Sequence, residues 1–396
     1  MKALILIGDG MSDYPLKAIG GKTPLEAART PNLDFLAKNG ICGWTKNIPA
    51  GMNPGSDVAV MSIFGYNPQK YFSGRGPLEA ASLGVKLKKD EVAFRCNLVS
   101  VKDGKMKDFT AGHISTKEAK KIIEKINLTL GTKQIKFYAG LSYRHLLIMK
   151  TKSFGKIKTT PPHDITGKMI HGFLPQGRGA ENLIRLMNKS EVLLHDNKTR
   201  ATMIWPWGEG PAPRMPAFKQ RFGKKAAVIT AVHLLKGLGK TLGMEVIDVP
   251  GATGYLDTNY KGKAEYALKA LKRNDIVFVH VEAPDEAGHE GKIKHKIKAI
   301  EDFDRLVVGT ILKEIRNSKL DIRVLVLPDH PTPIKLMTHT AEAVPFAIYQ
   351  SQGKQGRQGG QGEQGIQGFN EREIKKAKLK IKNGYKLLGK FIGGKI

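Results

Sequence analysis

The residues best suited to chemistry are acids and histidines at short spacings in the second half of the chain. Asp285 and His289 are four residues apart, so on a helix their side chains would share one face and could bind one metal ion. Asp329 and His330 are adjacent, and His339 follows nine residues later. Each of these elements alone is also compatible with an ordinary turn or a surface helix. Together they favour a site for divalent metal.

Asp9 extends this set from the other end of the chain. Asp9, Asp285 and Asp329 each follow a predicted strand, and with the three histidines they offer about the number of oxygen and nitrogen ligands that two metal ions need. Two such ions can hold a phosphoryl group and activate a hydroxyl. Ser56 follows a Pro-Gly turn and is predicted to lie at a helix N-terminus, where an anion is favoured. An ordinary N-cap serine is the competing interpretation.

The elements that must position these residues are short apolar runs and amphipathic segments. Buried parallel strands are predicted over 3–7, 276–281 and 324–327. In open α/β sheets ligands gather at the carboxyl ends of the strands, so both ends of the chain are expected to contribute to one sheet and one site. Helical spacing predicts flanking helices over 226–238, 264–271 and 297–315.

The middle of the chain has a separate pattern of short strands and helices. Strands are predicted over 92–99, 145–149 and 201–205, and helices over 116–126 and 180–188. Glycine and proline cluster near Gly84 and over 208–216, which indicates boundaries. We therefore predict an α/β protein with a mainly parallel sheet. Residues 1–84 and 209–396 would form a discontinuous metal-binding domain, and residues 85–208 a smaller inserted α/β domain.

Composition argues against several other classes of protein. Apolar residues make up 41% of the 396, and no apolar stretch approaches the length that crosses a bilayer, so a soluble protein without a membrane partner is expected. The N-terminal MKALILIGDG lacks a cleavage site and favours the cytoplasm. Cys42 and Cys96 are expected to be buried structural thiols. Glycine recurs at every third residue within 350–368, which predicts a flexible surface loop.

The net charge of +29 raises the alternative of a nucleic-acid-binding protein. Such a protein would interleave its basic residues with aromatic ones, and the lysine runs here have no neighbouring aromatic clusters. The charge is therefore interpreted as a solvated cationic surface, with no specific nucleic-acid partner.

The order Asp9, Ser56, Asp285, His289, Asp329, His330, His339 resembles the alkaline phosphatase superfamily. The strings LIGDGMSDYP, GKTPLEAARTPNLDFLAKNG, PGSDVAVMSIFGYNP, GRGPLEAASLG, WPWGEG and DHPTPIKLMTHTAE look like those of archaeal-type 2,3-bisphosphoglycerate-independent phosphoglycerate mutases. The similarity runs from Met1 to about Tyr349. It implies an alkaline phosphatase-like three-layer core and an isomerase of glycolysis and gluconeogenesis.

The resemblance also implies how the residues divide. One metal would be held by Asp9, Ser56, Asp329 and His330, and the other by Asp285, His289 and His339. Manganese, cobalt or magnesium would serve. Ser56 would take the phosphoryl group from one glycerate hydroxyl and return it to the other, through a phosphoserine intermediate. The inserted domain would bind 2- and 3-phosphoglycerate through His113, Arg144, His163, Asp164 and Arg214.

Two questions stay open at this stage. A metal-dependent phosphatase or a phosphopentomutase of the same superfamily would use the same two-metal core, and the quoted strings favour the mutase over both. The residues also leave a homo-oligomer open.

Overall fold

The chain forms two compact units. The structure, a computed structural model, describes residues 2–150, 157–317, 321–351 and 365–396. The first unit comprises Met1–Phe72 and Met215–Ile396, and the second comprises Ser73–Arg214. The predicted domain boundaries, near 84 and 208, lie about twelve and six residues from these limits. Of the predicted glycine-triplet loop, residues 352–364 lie outside the described residues. Among the described helices, none combines the length and apolar character that crossing a bilayer requires.

The strands of the described residues form one sheet in each unit. In chain order they are β1 (Lys2–Gly8), β2 (Ile41–Thr45), β3 (Glu91–Lys102), β4 (Lys105–Asp108), β5 (Ile135–Tyr138), β6 (Arg144–Lys150), β7 (Met203–Pro211), β8 (Ala226–Ile229), β9 (Glu245–Ile247), β10 (Ile276–Val281), β11 (Ile322–Pro328), β12 (Val344–Gln350) and β13 (Lys380–Ile381). The first unit's sheet has the order β13-β2-β12-β11-β1-β10-β8-β9. Only β12 runs antiparallel to its neighbours there, so the predicted mainly parallel sheet is confirmed.

Helices of several lengths connect these strands. The α-helices are Pro24–Ala27, Pro31–Lys38, Ser56–Ile63, Pro68–Tyr71, Arg75–Ser82, Thr116–Leu130, Ala180–Leu194, Phe218–Phe222, His233–Thr241, Tyr260–Leu271, Ala283–His289, Ile293–Asp302, Gly309–Asn317, Glu371–Ile374 and Leu387–Ile392. A π-helical segment, Phe303–Val308, joins two of them, and short 3-10 turns cover Lys17–Ile19, Pro162–Ile165, Ile170–Phe173 and Gly384–Lys386.

Helices cover both faces of the first unit's sheet, because successive side chains of a buried strand point to opposite faces. On one face, Val277 and Val279 of β10 share a buried cluster with Ala264 of the helix Tyr260–Leu271. On the other face, Phe278 lies against Phe64, with ring centroids 4.5 Å apart. The result is a helix–sheet–helix arrangement that buries nearly every side chain of the central strands.

The register of the central strands brings the predicted site residues to one edge. β1 lies between β10 and β11 and runs parallel to both, with Ile7 opposite His280 and Leu327. The three strands therefore end at the same level, and the residues that follow them are neighbours. This is the geometry that the sequence pattern predicts for Asp9, Asp285 and Asp329.

One predicted helix is wrong at its start. Residues 226–238 were expected to be helical throughout, but Ala226–Ile229 form strand β8, which pairs in parallel with β10, and the helix is His233–Thr241. All four residues of β8 are buried. A short, wholly apolar run fits a buried strand as well as a helix, so its periodicity could not distinguish the two.

The second unit is built on an antiparallel sheet of five strands. β3 is its longest strand and pairs with β4, β6 and β7, while β5 pairs with β6. The helices Thr116–Leu130 and Ala180–Leu194 pack their apolar faces into this unit's core, which includes Trp205 and Trp207. Cys96 belongs to the same core, and Cys42 to that of the first unit; both are buried and form no disulfide.

Candidate active site

Asp9 is the first residue beyond β1 and is almost completely buried. The turn that follows it requires glycine at position 10, where φ is +59° and an added Cβ would lie 2.5 Å from the Asp285 Oδ1 atom. The Gly10 amide donates to Asp329 Oδ1 at 3.0 Å. The tight turn thus brings the three carboxylates together.

Ser56 is the first residue of the helix Ser56–Ile63. The N-cap position belongs to Gly55, and no side chain caps this helix, so the ordinary capping role does not account for Ser56. Its Oγ lies 3.2 Å from His330 Nε2 and 3.4 and 3.5 Å from the two carboxylate oxygens of Asp9. Phe64, at the other end of the helix, packs on β10 and holds the helix against the sheet.

Asp329 and His330 follow β11 and are both buried. His330 Nε2 lies 3.2 Å from Asp329 Oδ2 and 3.5 Å from Asp9 Oδ1. Thr332 holds this turn, because its hydroxyl donates to Asp285 Oδ1 and lies 3.2 Å from His330 Nδ1.

Asp285 and His289 lie in the helix Ala283–His289, as their spacing predicts. His289 Nε2 is 3.2 Å from Asp285 Oδ2 and 2.9 Å from His339 Nε2. His339 Nε2 is in turn 3.5 Å from Asp285 Oδ1. All seven residues predicted for the metal site and the nucleophile thus lie in one cluster of the first unit.

Within this cluster the described residues contain two groups of metal-ligand type. The ligand atoms of Asp285, His330 and His339 lie within 4.8 Å of one another, and so do those of Asp9, His280 and Asp329. Two buried atoms of the second group, His280 Nε2 and Asp329 Oδ2, have no hydrogen-bond partner among the described residues. Carboxylate oxygens, imidazole nitrogens and unsatisfied buried atoms fit a divalent cation, which would supply the missing interaction.

The electrostatics of the cluster reflect crowded negative charge. Burial and the carboxylates of Asp329 and Asp285 raise the pKa of Asp9 well above its usual value. Burial alone would raise the pKa of Asp285, but hydrogen bonds from His289 and His339 hold it well below the usual value. Burial lowers the pKa of His330. A bound cation would relieve the repulsion among these carboxylates.

Sequence reasoning missed three buried residues behind Asp9. His280 belongs to β10 and its Nε2 is 3.2 Å from Asp9 Oδ2, while its Nδ1 is 3.3 Å from Glu282 Oε1. Glu282 forms a buried ion pair with Lys263. Burial opposes a charged His280 ring, but the carboxylates of Asp9 and Glu282 outweigh it and raise its pKa to about 10. His280 stands inside an apolar run, and no spacing in the sequence relates it to Asp9.

The residues predicted to bind substrate all lie in the second unit, and four of them lie near its aromatic residues. His113 and Arg144 lie against Tyr143, with the His113 ring 6.5 Å and the Arg144 guanidinium 4.8 Å from its ring centroid. His163 contacts Phe109, whose ring also contacts Tyr143, and the adjacent Asp164 carboxylate is 3.6 Å from His163 Nε2. Arg214 is exposed beyond β7, and no described contact joins it to the others.

Two further arginines of the second unit were not among the predicted residues. The Arg95 and Arg75 guanidinium groups lie 5.0 and 5.6 Å from the centre of the Trp207 ring, which also contacts His163 at 5.3 Å. Burial lowers the pKa of Arg95 to about 10, and the nearby Glu79 carboxylate opposes that shift. Both guanidinium groups thus make cation–π contacts with the same indole ring.

Comparison with known proteins relates both the sequence and the fold to phosphoglycerate mutases. The sequence model of the 2,3-bisphosphoglycerate-independent phosphoglycerate mutase family matches residues 37–199. A relative of that name from Methanosarcina barkeri is 49% identical over the full length of both chains. A Pyrococcus horikoshii protein of solved structure has a TM-score of 0.81 and 30% identity, covering 99% of this chain and 96% of its own. The cofactor-independent phosphoglycerate mutase of Thermoplasma acidophilum has a TM-score of 0.66 and 26% identity, covering 99% of each chain.

These findings define an α/β enzyme of the isomerase class. The chain belongs to the 2,3-bisphosphoglycerate-independent phosphoglycerate mutase family. The family and the fold class predicted from the sequence are thereby confirmed.

Proposed function

We propose that this protein interconverts 3-phosphoglycerate and 2-phosphoglycerate, independently of 2,3-bisphosphoglycerate, through a phosphoserine intermediate on Ser56. The observation that supports it most is the position of the Ser56 hydroxyl, 3.2 Å from His330 Nε2 and 3.4 Å from Asp9 Oδ1, within a buried set of metal-ligand type. A serine used only to cap a helix would not need these neighbours.

Two divalent ions, manganese, cobalt or magnesium, would be held by this set. The proposed ligands are Asp9, Ser56, Asp329 and His330 for one ion, and Asp285, His289 and His339 for the other. When bound, the ions supply charge stabilisation for the phosphoryl group and lower the pKa of the serine hydroxyl.

The protein's own groups then have definite tasks. Ser56 Oγ forms a bond to phosphorus as the bond from phosphorus to the C3 oxygen breaks, and that oxygen gains the proton that the serine loses. In the second half the C2 hydroxyl loses its proton, attacks the phosphoserine and restores the serine hydroxyl. The N-terminal end of the helix Ser56–Ile63 carries the positive end of the helix dipole, which favours the anionic group during both transfers. The two transfers together neither consume nor release water or protons.

The second unit is proposed to bind the glycerate through His113, Arg144, His163, Asp164 and Arg214. The Arg144 guanidinium, held over the Tyr143 ring, could bind both oxygens of a carboxylate. The Asp164 carboxylate is exposed and can form hydrogen bonds with a ligand. We therefore assign to it the exchange of protons with the glycerate hydroxyls.

A reconstitution assay tests this function. The protein is stripped with chelator, reloaded with Mn²⁺, Co²⁺ or Mg²⁺, and given 3-phosphoglycerate without the bisphosphate, while 2-phosphoglycerate and free phosphate are measured together. We expect metal-dependent 2-phosphoglycerate without free phosphate. Free phosphate alone would identify a phosphatase instead, and no reaction with any metal would refute the site.

Matched serine variants make the assay specific. Ser56→Ala is expected to abolish the reaction. Ser62→Ala, in the same helix, removes a buried hydroxyl that donates to the Asn47 carbonyl, so it perturbs the helix while leaving Ser56 in place. We expect Ser62→Ala to retain activity; equal loss in both variants would indicate that the helix, and not the Ser56 hydroxyl, is required.

A further inference from the structure

His280 is a buried histidine that the proposed ligand sets leave without a role. Its side chain is 1% exposed, and its Nε2 points toward the carboxylate of Asp9, 3.2 Å away. That nitrogen nevertheless lacks a hydrogen-bond partner among the described residues, as does the nearby Asp329 Oδ2. Two unsatisfied buried atoms, one basic nitrogen and one carboxylate oxygen, thus belong to the same group of three ligand-type residues.

The other ring nitrogen of His280 is oriented by a carboxylate. Nδ1 faces Glu282 Oε1 at 3.3 Å, and that oxygen also accepts from the Thr230 hydroxyl at 2.8 Å and the Ala231 amide at 2.6 Å. Histidines that bind metal through one nitrogen typically donate the other N–H to such a carboxylate, which fixes the ring.

Glu282 also has a cationic partner other than His280. Lys263 is fully buried, forms an ion pair with Glu282 and donates to the His280 carbonyl at 2.9 Å. Glu282 therefore keeps a counter-ion when the His280 ring is neutral. Glu282 is left to orient the imidazole.

We infer that His280 is a metal ligand, binding through Nε2 to the same divalent ion as Asp9 and Asp329. The inference rests on the proposed metal-dependent function and adds a fourth histidine to its ligands. The cation would accept the Nε2 lone pair of a neutral ring that carries its proton on Nδ1, facing Glu282. The competing arrangement is a protonated ring that forms an ion pair with Asp9 and never binds metal.

Cadmium-113 NMR on the full chain distinguishes the two arrangements, because scalar coupling between cadmium and ring protons passes only through a coordination bond. We expect the wild-type protein loaded with cadmium-113 to show a proton–cadmium correlation that disappears in His280→Gln. His145→Gln is the matched control: His145 is also buried, but it lies in the second unit, and this variant should keep every correlation.

Metal affinity supplies a second measurement that does not depend on His280→Gln folding. Glu282→Gln keeps the size of the side chain but weakens the acceptor for Nδ1–H, so Mn²⁺ affinity measured by titration should fall about 10- to 100-fold.

The outcomes separate this inference from the proposed function. Cadmium correlations that are all retained in His280→Gln, together with Mn²⁺ affinity unchanged in Glu282→Gln, would overturn the ligand role while leaving the two-metal site intact. A wild-type protein that binds neither Cd²⁺ nor Mn²⁺ would overturn both.

Discussion

Lys296 forms a buried ion pair next to the site, and its removal gives a prediction with a definite magnitude. Its side chain is 0% exposed, and its Nζ donates to Asp13 Oδ2 at 2.8 Å, to the Thr332 carbonyl at 2.8 Å and to the Ser12 carbonyl at 3.3 Å. It therefore ties the segment after β1 to the turn after β11, the two segments that contribute Asp9 and His330.

Lys296→Met would leave the Asp13 carboxylate buried without its cation. Breaking a buried pair by removing one partner costs about 3–5 kcal/mol. The lower end is expected, because Asp13 still accepts from the Tyr14 amide at 2.7 Å and the Ile334 amide at 3.1 Å. At about 2–4 °C per kcal/mol for a unit of this size, the melting temperature should fall by roughly 10 °C.

Thermal and urea unfolding of the metal-free protein at pH 7 would measure this loss without a contribution from metal binding. Lys298→Met is the control, because Lys298 lies in the same helix and pairs with Asp302 at 2.6 Å, but 62% of its side chain is exposed. The control should lose less than about 0.5 kcal/mol. If the two variants differed by less than about 1 kcal/mol, the role given to the Lys296–Asp13 pair would be refuted.

Three further predictions concern the site and the second unit. Gly10→Ala should cost about 1–2 kcal/mol of backbone strain and bring a methyl group against Asp285 Oδ1, so calorimetric titration should show weaker Mn²⁺ binding. Unchanged Mn²⁺ affinity would contradict the claim that the turn at Gly10 positions the carboxylates. Asp9→Asn removes a carboxylate whose pKa is raised by burial and by Asp329, so the metal-free variant should melt above the wild type, yet gain no stability from Mn²⁺. Burial lowers the pKa of His145 to about 3, so only the unfolded chain protonates this histidine as the pH falls below about 6.5. Between pH 7 and 5 the free energy of unfolding, measured with urea, should therefore fall by about 2 kcal/mol more in the wild type than in His145→Gln. An equal fall in the two proteins would contradict this prediction.

The sequence allowed the acids at strand ends to be predicted, because strand termini and turns are local features. Asp9, Asp285 and Asp329 each follow an apolar run, and parallel strands bring their carboxyl ends to one edge of the sheet. The four-residue spacing of Asp285 and His289 gave the right helical face for the same reason. The catalytic and ligand roles of these residues stay predictions.

Features that depend on tertiary contacts could not be predicted. His280 stands in the run IVFVHV, where it is indistinguishable from a core residue until β1 is placed beside it. The pair of Lys263 and Glu282 joins a helix to a strand end, and no spacing rule relates them. Strand β8 was mistaken for a helix because four consecutive apolar residues carry no periodicity.

The central claim is that Ser56 carries the phosphoryl group during turnover. Rapid quenching of the Mn²⁺-loaded protein with radiolabelled 3-phosphoglycerate, followed by peptide mass spectrometry, tests it most directly. Label is expected on the Ser56 peptide within the first turnover, and then in both 2- and 3-phosphoglycerate as the two approach equilibrium, with none released as free phosphate. Active turnover with no phosphorylated Ser56, or with label on a different residue, would contradict the account.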